Sequence, residues 1–181
     1  MRVTLVRHAE VDESYKNCYN GHNEIGLSKI GEIQARKVAK ELDAMEFDAV
    51  FCSDLRRAKE TLKYSIHAKD AFFSDRLREK SWGKHEGLSF DEIIAQNEIE
   101  YINFLQWIEA LDGEPYAEYI KRVEEFFLFF LPSLNKENIL VVTHAGVIRV
   151  LMSIVKKITL EEAFDISVEN GSFIVFDFKK E

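Results

Sequence analysis

Histidine and arginine side chains lie at the ends of three short apolar runs in the sequence. Arg7 and His8 follow the first run directly, and Arg56 and Arg57 lie just after the second. His144 follows a later run, immediately before a helical pattern. A neutral imidazole is a competent nucleophile toward phosphorus, and the planar guanidinium of arginine matches the oxygens of a phosphate. These residues together suit phosphoryl transfer through a phosphohistidine.

Such chemistry also needs a carboxylic acid, which protonates the leaving oxygen and then helps water to attack. Glu79 is the best placed of several candidates, because it lies on the loop after a predicted strand. Spacing alone does not select it over Glu10 or Glu86.

The apolar runs predict the strands that would position these residues. The predicted strands are residues 3–6, 49–52, 139–143 and 173–178, with a weaker one at 71–74. Helical patterns lie between them, and this alternation is typical of an α/β fold. We predict a three-layer sandwich with a mostly parallel central sheet, in which the histidines and arginines meet at one edge.

Several helices are predicted from capping residues and helical periodicity. Ser28 is expected to cap a helix, and Ser53 or Asp54 a second one that runs to about His67. The first helix is predicted to face the core with Ile30, Ile33, Val38, Leu42 and Met45.

Residues 88–131 are predicted to form two or three helices that cover the carboxyl edge of the sheet. The clearest of them opens at Pro115, which suits a first helical turn. Its predicted core-facing stripe is Tyr116, Ile120, Val123, Phe127 and Phe130. We interpret the segment as a lid insertion within one domain that comprises residues 1–181.

Composition limits the class of protein. The 181 residues are 46% hydrophobic and 31% charged, which argues against disorder. A net charge of −8 disfavours nucleic-acid binding, because that function needs a basic face. No apolar stretch approaches the length of a membrane span, so a soluble, cytoplasmic protein is expected. Cys18 and Cys52 lack the spacing of a disulfide framework or a zinc site, and we expect reduced thiols, no metal and no cofactor.

The motifs around these residues resemble those of the histidine phosphatase superfamily (phosphoglycerate-mutase-like), and the resemblance extends over nearly the whole chain. The matching strings are LVRHAE at 5–10, NGHNEIGLS at 20–28, SDLRRA at 53–58, LREKSWGKHEG at 77–87 and VTHAGVIR at 142–149. Each string is a weak pattern, but their order at strand ends makes a strong signal. Val11 replaces the hydroxyl residue that is common after the family's acidic residue, and Ser14 stands where the family's mutases have an asparagine. Both differences favour a phosphatase over a mutase.

The resemblance implies a role for each matching residue. His8 would attack phosphorus, and Glu79 would act first as general acid and then as general base. Arg7, Arg57 and His144 would hold the phosphoryl oxygens, so that no metal is needed. The resemblance thereby selects Arg57 over Arg56 as the second phosphate arginine.

The loop before the first predicted helix also matches the family. Its position implies that Asn20, Gly21 and His22 bind or flank the substrate. A solvated loop is nonetheless the more frequent setting for a histidine such as His22 or His85. Arg149 is expected to support its helix or a nearby carboxylate.

These observations predict a metal-independent phosphomonoesterase that hydrolyses a small phosphorylated metabolite through a phosphohistidine on His8. A phosphoryl transferase of the phosphoglycerate mutase type and a non-catalytic module that binds a phosphorylated metabolite are the alternatives. Among the family's small-molecule members, the length and the RHAE opening resemble those of α-ribazole phosphatases.

Overall fold

A computed structural model describes residues 1–178, and its centre is a single β-sheet. The strands are Arg2–Arg7 (β1), Ala49–Ser53 (β2), Ala71–Ser74 (β3), Asn138–Thr143 (β4) and Phe173–Asp177 (β5). Their order is β3-β2-β4-β1-β5, and only β5 runs antiparallel to its neighbour among these strands. The predicted α/β class with a mostly parallel sheet is confirmed.

Helices lie between the strands along the chain and contribute to the hydrophobic cores on both faces of the sheet. The α-helices are Lys29–Leu42 (α1), Arg56–Leu62 (α2), Phe90–Ala95 (α3), Phe104–Ala110 (α4), Tyr116–Glu124 (α5), Leu131–Ser133 (α6), Ala145–Lys156 (α7) and Leu160–Phe164 (α8). Short 3₁₀ turns occur at Glu13–Tyr15, Ile66–Asp70, Asp75–Leu77 and Gly83–His85, and Glu125–Phe130 is a π-helical turn. No helix within residues 1–178 combines the length and the apolar character needed to cross a membrane.

Strand β4 shows why the fold has three layers. Ile139 and Val141 belong to one hydrophobic core, whereas Leu140 and Val142 belong to another, because successive side chains of a strand point to opposite faces. All four side chains are fully buried. Helices α1 and α2 cover the second core, and α5 and α7 contribute to the first. A strand buried on both faces accounts for its continuous apolar run.

Helix α1 begins where predicted but turns a different face to the core. The Ser28 hydroxyl accepts a hydrogen bond from the Gly31 amide, as expected for its cap. Ile30 and Ile33 are 53% and 67% exposed, so their predicted burial is wrong. A Cβ at Gly31 would lie 2.0 Å from the Glu10 carbonyl oxygen. This close approach to the loop after β1 places small residues inside, and the buried positions are Gly31, Ala35, Val38, Ala39 and Leu42.

The predicted caps and length of α2 are also wrong. The helix starts after Leu55 without a side-chain cap and ends at Leu62, and a separate 3₁₀ turn contains His67. The two predicted capping side chains have other partners. The Asp54 carboxylate is bound by the guanidinium of Arg78, and the Ser53 hydroxyl lies 2.8 Å from the Nε2 atom of His144.

The segment 88–131 contains α3, α4, α5 and the π-helical turn. Of its predicted stripe, Tyr116, Val123 and Phe127 are buried, whereas Ile120 and Phe130 are only partly buried. Tyr119 and Phe126 are buried as well. The wider π-helical turn shifts which side chains face inward, and simple helical periodicity does not anticipate this shift.

Candidate active site

A cavity of about 340 Å³ opens where β1 and β4 end. Arg7 and His8 reach it from the end of β1, and Gly146 reaches it from the first turn of α7. Glu79 lines the cavity from the loop after β3, and α5 contributes Tyr116 and Tyr119. The residues of the parallel strand ends therefore meet at one edge, as the alternation of strands and helices predicted.

His8 is held in one tautomer. Its ring Nδ1 lies 2.8 Å from the carbonyl oxygen of Ala9, and a carbonyl only accepts, so Nδ1 carries the proton. In a neutral ring the Nε2 atom then keeps its lone pair. Burial lowers the pKa of His8 well below its usual value, and the nearby charges of Arg57 and Arg7 lower it further. A neutral imidazole with a free Nε2 is the form that a nucleophile requires.

His144 lies beside His8 and is fully buried. The two ring centroids are 5.1 Å apart, and the rings are tilted by 59°. The Nδ1 atom of His144 has no hydrogen-bond partner among the described residues. Burial and the charge of Arg57 lower the pKa of this ring well below its usual value too.

Arg57 is completely buried and is bound by backbone carbonyls of the loop before α1. Its guanidinium donates to the carbonyls of Asn20, Gly21 and Asn23 at 3.2, 2.6 and 3.0 Å. Burial lowers the pKa of Arg57 to about 10, so the group remains a cation at neutral pH. Its Nε atom has no partner within residues 1–178.

Arg7 is the second arginine beside His8. Its guanidinium donates to the Val168 carbonyl, and its buried Nε atom has no partner within the described chain. Burial lowers the pKa of Arg7, and the positive charge of Arg149 adds to this effect. The charges of two arginines therefore act on the imidazole of His8, and each arginine has an Nε atom without a partner in the described chain. Arg7 lines the cavity, whereas Arg57 does not.

The carboxylate of Glu79 accepts hydrogen bonds from three donors. Its Oε1 atom accepts from the Tyr119 hydroxyl at 2.5 Å and from the Lys80 amide at 3.1 Å, and its Oε2 atom accepts from the Gly146 amide at 2.9 Å. A Cβ at Gly146 would lie 2.2 Å from Oε1, so a glycine is needed for this approach. Burial and the neighbouring charge of Glu79 raise the pKa of Tyr119, which keeps its hydroxyl a donor.

The alternative acids take other positions. The Glu86 carboxylate accepts from the backbone amides of Gly21, His22 and Trp82, and Glu86 does not line the cavity. Glu10 lines the cavity, but its carboxylate binds the Ser28 hydroxyl and lies 3.5 Å from the Lys16 ammonium. Geometry therefore favours Glu79 as the acid that faces His8.

The sequence model of the histidine phosphatase superfamily (branch 1) matches residues 3–181. The chain belongs to this superfamily. It is 30% identical over 175 residues to "Putative phosphoserine phosphatase 2" of Hydrogenobacter thermophilus, with 94% of this chain and 86% of that protein covered. It is 27% identical to the adenosylcobalamin/alpha-ribazole phosphatase of Escherichia coli, with 99% and 91% covered. The crystal structure of the alpha-ribazole phosphatase from Shigella flexneri superposes with a TM-score of 0.85 at 26% identity and covers 99% of this chain and 92% of that one.

The predicted substrate loop of this histidine phosphatase divides into two parts. Asn20 lines the cavity, whereas Gly21 and His22 do not. The latter two residues donate their amides to Glu86, and the His22 Nε2 atom lies 3.0 Å from the Glu79 carbonyl oxygen. The structure thus brings Asn20 to the cavity and places Gly21 and His22 where they hold neighbouring loops together.

Two further sequence interpretations are corrected. His85 is not a solvated loop residue: its exposed fraction is 1%, and its Nδ1 atom accepts from the Asp112 amide at 2.9 Å. Of the two roles expected for Arg149, the bond to a carboxylate does not occur within the described chain. The residue lines the cavity, and its Nε atom donates to the Ile166 carbonyl. Its place one turn after Gly146 on α7 was the available sequence signal for this position.

The sequence patterns did not single out two residues of α5, Tyr119 and Arg122, that hold Glu79 and its loop. Tyr119 binds the carboxylate of Glu79, as described above. Arg122, one turn further along α5, donates to the carbonyls of Arg76 and Arg78 at 2.8 and 2.9 Å. Both contacts hold the loop that carries Glu79. The spacing of four residues between Tyr119 and the buried Val123 was the available signal that Tyr119 faces inward.

Within residues 1–178, no three histidine, cysteine, aspartate or glutamate side chains are arranged to hold a metal ion. The charged residues that line the cavity include two arginines, Arg7 and Arg149, beside the carboxylate of Glu79. Fixed cationic donors of this kind stabilise charge on a transferring phosphoryl group.

Proposed function

We propose that this histidine phosphatase hydrolyses the phosphate monoester of a small metabolite, with His8 as nucleophile and Glu79 as general acid and base. One observation carries the proposal. The imidazole of His8 is kept neutral, has a free Nε2 atom and shares its cavity with a carboxylate that the lid helix α5 holds in place. The phosphatase names of the relatives support hydrolysis.

In the first step, the Nε2 atom of His8 attacks phosphorus and the bond from phosphorus to the ester oxygen breaks. Glu79 acts as general acid and gives a proton to the leaving oxygen. Arg7 and Arg57 supply fixed positive charge for the phosphoryl oxygens, and the unpaired Nδ1 atom of His144 is a further group available to them.

In the second step, a water molecule attacks the phosphorus of the phosphohistidine, and the carboxylate of Glu79 accepts a proton from that water. The bond from phosphorus to nitrogen breaks, phosphate leaves and His8 returns to its neutral form. No metal ion takes part in this scheme. The cavity of about 340 Å³ lies at the lower end of the range for small-molecule sites, which favours a small ester.

The remaining parts of the proposal concern partners and location. The net charge of −8 disfavours a nucleic-acid partner. Cys18 and Cys52 are free thiols, which agrees with a reducing compartment such as the cytoplasm.

Phosphate release by the purified protein tests the proposed function. We expect turnover of p-nitrophenyl phosphate and of at least one phosphorylated metabolite from a panel of phosphoserine, phosphoglycerates, sugar phosphates, nucleotides and α-ribazole phosphate. The variant His8→Ala should release no phosphate above background. A wild-type protein that binds these esters but hydrolyses none of them would instead be a binding module.

A further inference from the structure

Arg149 presents one free edge of its guanidinium group to the cavity. It lies on α7, one turn after Gly146, and lines the same cavity as His8. Its Nε atom donates to the Ile166 carbonyl at 3.2 Å, and its Cζ atom lies 5.3 Å from the ring centroid of Phe164. Its two terminal nitrogens have no hydrogen-bond partner within residues 1–178. The bond from Nε and the contact with the Phe164 ring therefore hold the guanidinium in place. Its two terminal nitrogens are available to a ligand.

Tyr116 supplies a second donor that lacks a partner. Its side chain lines the cavity from the lid helix α5, only 7% of the residue is exposed, and its hydroxyl has no partner among the described residues. Leaving a buried hydroxyl unpaired costs free energy, so such a group calls for an explanation. Burial and the charge of Glu79 raise the pKa of Tyr116, so its hydroxyl stays protonated at neutral pH.

The charges around these two residues favour an anion. Arg149 has no carboxylate within 4 Å in the described chain, and its charge lowers the pKa of Arg7. The carboxylate of Glu79, which also lines the cavity, is bound to Tyr119 and Gly146. Lys16, also in the cavity wall, is paired with Glu10. The positive charge of Arg149 is thus left for a ligand to neutralise.

We propose that Arg149 and Tyr116 form an anion subsite that binds the carboxylate of a phosphate monoester while His8 attacks its phosphoryl group. The inference rests on the proposed function and narrows its substrate class. A guanidinium edge matches the two coplanar oxygens of a carboxylate, and Phe164 provides an apolar face beside that plane. The Tyr116 hydroxyl, which lines the same cavity, would add one hydrogen bond to the carboxylate.

Two substrates that differ only in a carboxylate test the subsite: O-phospho-L-serine and O-phosphoethanolamine. We expect the wild-type kcat/KM to be higher for phosphoserine. The variant Arg149→Gln should lower kcat/KM for phosphoserine by roughly 10- to 100-fold, mainly through KM, because a hydrogen bond to a charged group is lost. Its rate with phosphoethanolamine should stay within about threefold of wild type, and Arg149→Lys should recover part of the loss.

Arg36→Gln is the matched control, because it removes one positive charge from an exposed position on α1 outside the cavity. It should leave the ratio of the two kcat/KM values unchanged. Equal losses by Arg149→Gln on both substrates, or no loss on either, would overturn the proposal.

Binding of two phosphonates separates the subsite from the proposed function, since neither can be hydrolysed. We expect calorimetry to show tighter binding of L-2-amino-4-phosphonobutyrate than of 3-aminopropylphosphonate, and Arg149→Gln should abolish the difference. Tyr116→Phe should weaken the binding of L-2-amino-4-phosphonobutyrate by about three- to tenfold. It should not lower Tm, because the hydroxyl that it removes has no partner in the described chain. If the wild type binds both phosphonates equally, the subsite is wrong even where hydrolysis occurs. If it shows the difference but hydrolyses no ester, only the proposed hydrolysis fails.

Discussion

The imidazole rings of His8 and His144 lie side by side with centroids 5.1 Å apart, and both have a pKa well below the usual value of a histidine. Two adjacent protonated imidazoles between arginines would repel one another, so the folded protein favours the neutral form of both. The neutral form of His8 is the one that can attack phosphorus, and the lowered pKa values of both rings make the free energy of unfolding depend on pH.

The first prediction concerns the nucleophile. His8→Ala should reduce phosphate release by at least about 10³-fold, and the phosphoenzyme should be detectable on His8 in the wild type after an acid-free quench, by mass spectrometry. His67→Ala is the control, since His67 lies outside the cavity and binds the Leu42 carbonyl. A phosphoryl group found on another residue would contradict the assignment.

The second prediction concerns the pH dependence of stability. A histidine whose folded pKa is lowered binds fewer protons in the folded state, so the free energy of unfolding falls as the pH drops below about 6.5. Each such histidine contributes a slope of up to about 1.4 kcal/mol per pH unit. Urea unfolding at pH 7.5 and 5.5 should show a smaller loss in His144→Gln than in the wild type. An unchanged pH dependence would mean that folding does not lower the pKa of His144.

The third prediction concerns the general acid. Glu79→Gln should slow alkyl phosphates by roughly 10²- to 10⁴-fold. Nitrophenolate leaves without protonation, so p-nitrophenyl phosphate should give a burst near one equivalent followed by slow turnover. Glu118→Gln, at an exposed position on α5, should behave as the wild type. Equal losses on alkyl and aryl esters without a burst would assign Glu79 a structural role.

The fourth prediction uses the glycine beside that acid. Gly146→Ala places a Cβ 2.2 Å from the Oε1 atom of Glu79, so the carboxylate must move. We expect the same pattern as in Glu79→Gln, with a loss of roughly 10-fold or more on alkyl phosphates and a smaller loss on the aryl ester. Steady-state rates with the two ester types measure this difference. Wild-type rates on both would show that the contact to Gly146 is dispensable.

The fifth prediction concerns metal ions and phosphate analogues. Activity should survive an excess of EDTA, since the proposed phosphoryl site consists of arginines and histidines. Vanadate should inhibit, because it occupies such a site as an analogue of the transferring phosphoryl group. Loss of activity in EDTA that a divalent ion restores would contradict the scheme.

The sequence predicted the parts of the molecule that depend on local pattern. The run at residues 139–143 is apolar at every position up to Thr143, and this identified a strand buried on both faces. The motif order predicted which elements bring Arg7, His8 and His144 together. The first inference follows from the continuous apolar run. The second follows from chain direction in a parallel sheet, because the carboxyl ends of such strands share one edge.

Other features depended on contacts between distant segments. Ile30 and Ile33 fit a helical stripe, yet the close packing of Gly31 on Glu10 turns them to solvent. Asp54 is a good capping residue, but Arg78 takes its carboxylate. The free guanidinium edge of Arg149 likewise follows from the absence of a nearby acid in the described chain, and spacing does not reveal such an absence.

The hydrogen bond between Tyr119 and Glu79 ties the proposed general acid to helix α5. Tyr116 on the same helix lines the cavity, so a substitution in α5 that reshapes the space for a substrate also displaces Tyr119 and, with it, the carboxylate of Glu79. Substrate choice and the position of the proposed proton donor are therefore coupled in this protein. A variant that accepts a new substrate needs a second change that returns the carboxylate to its place.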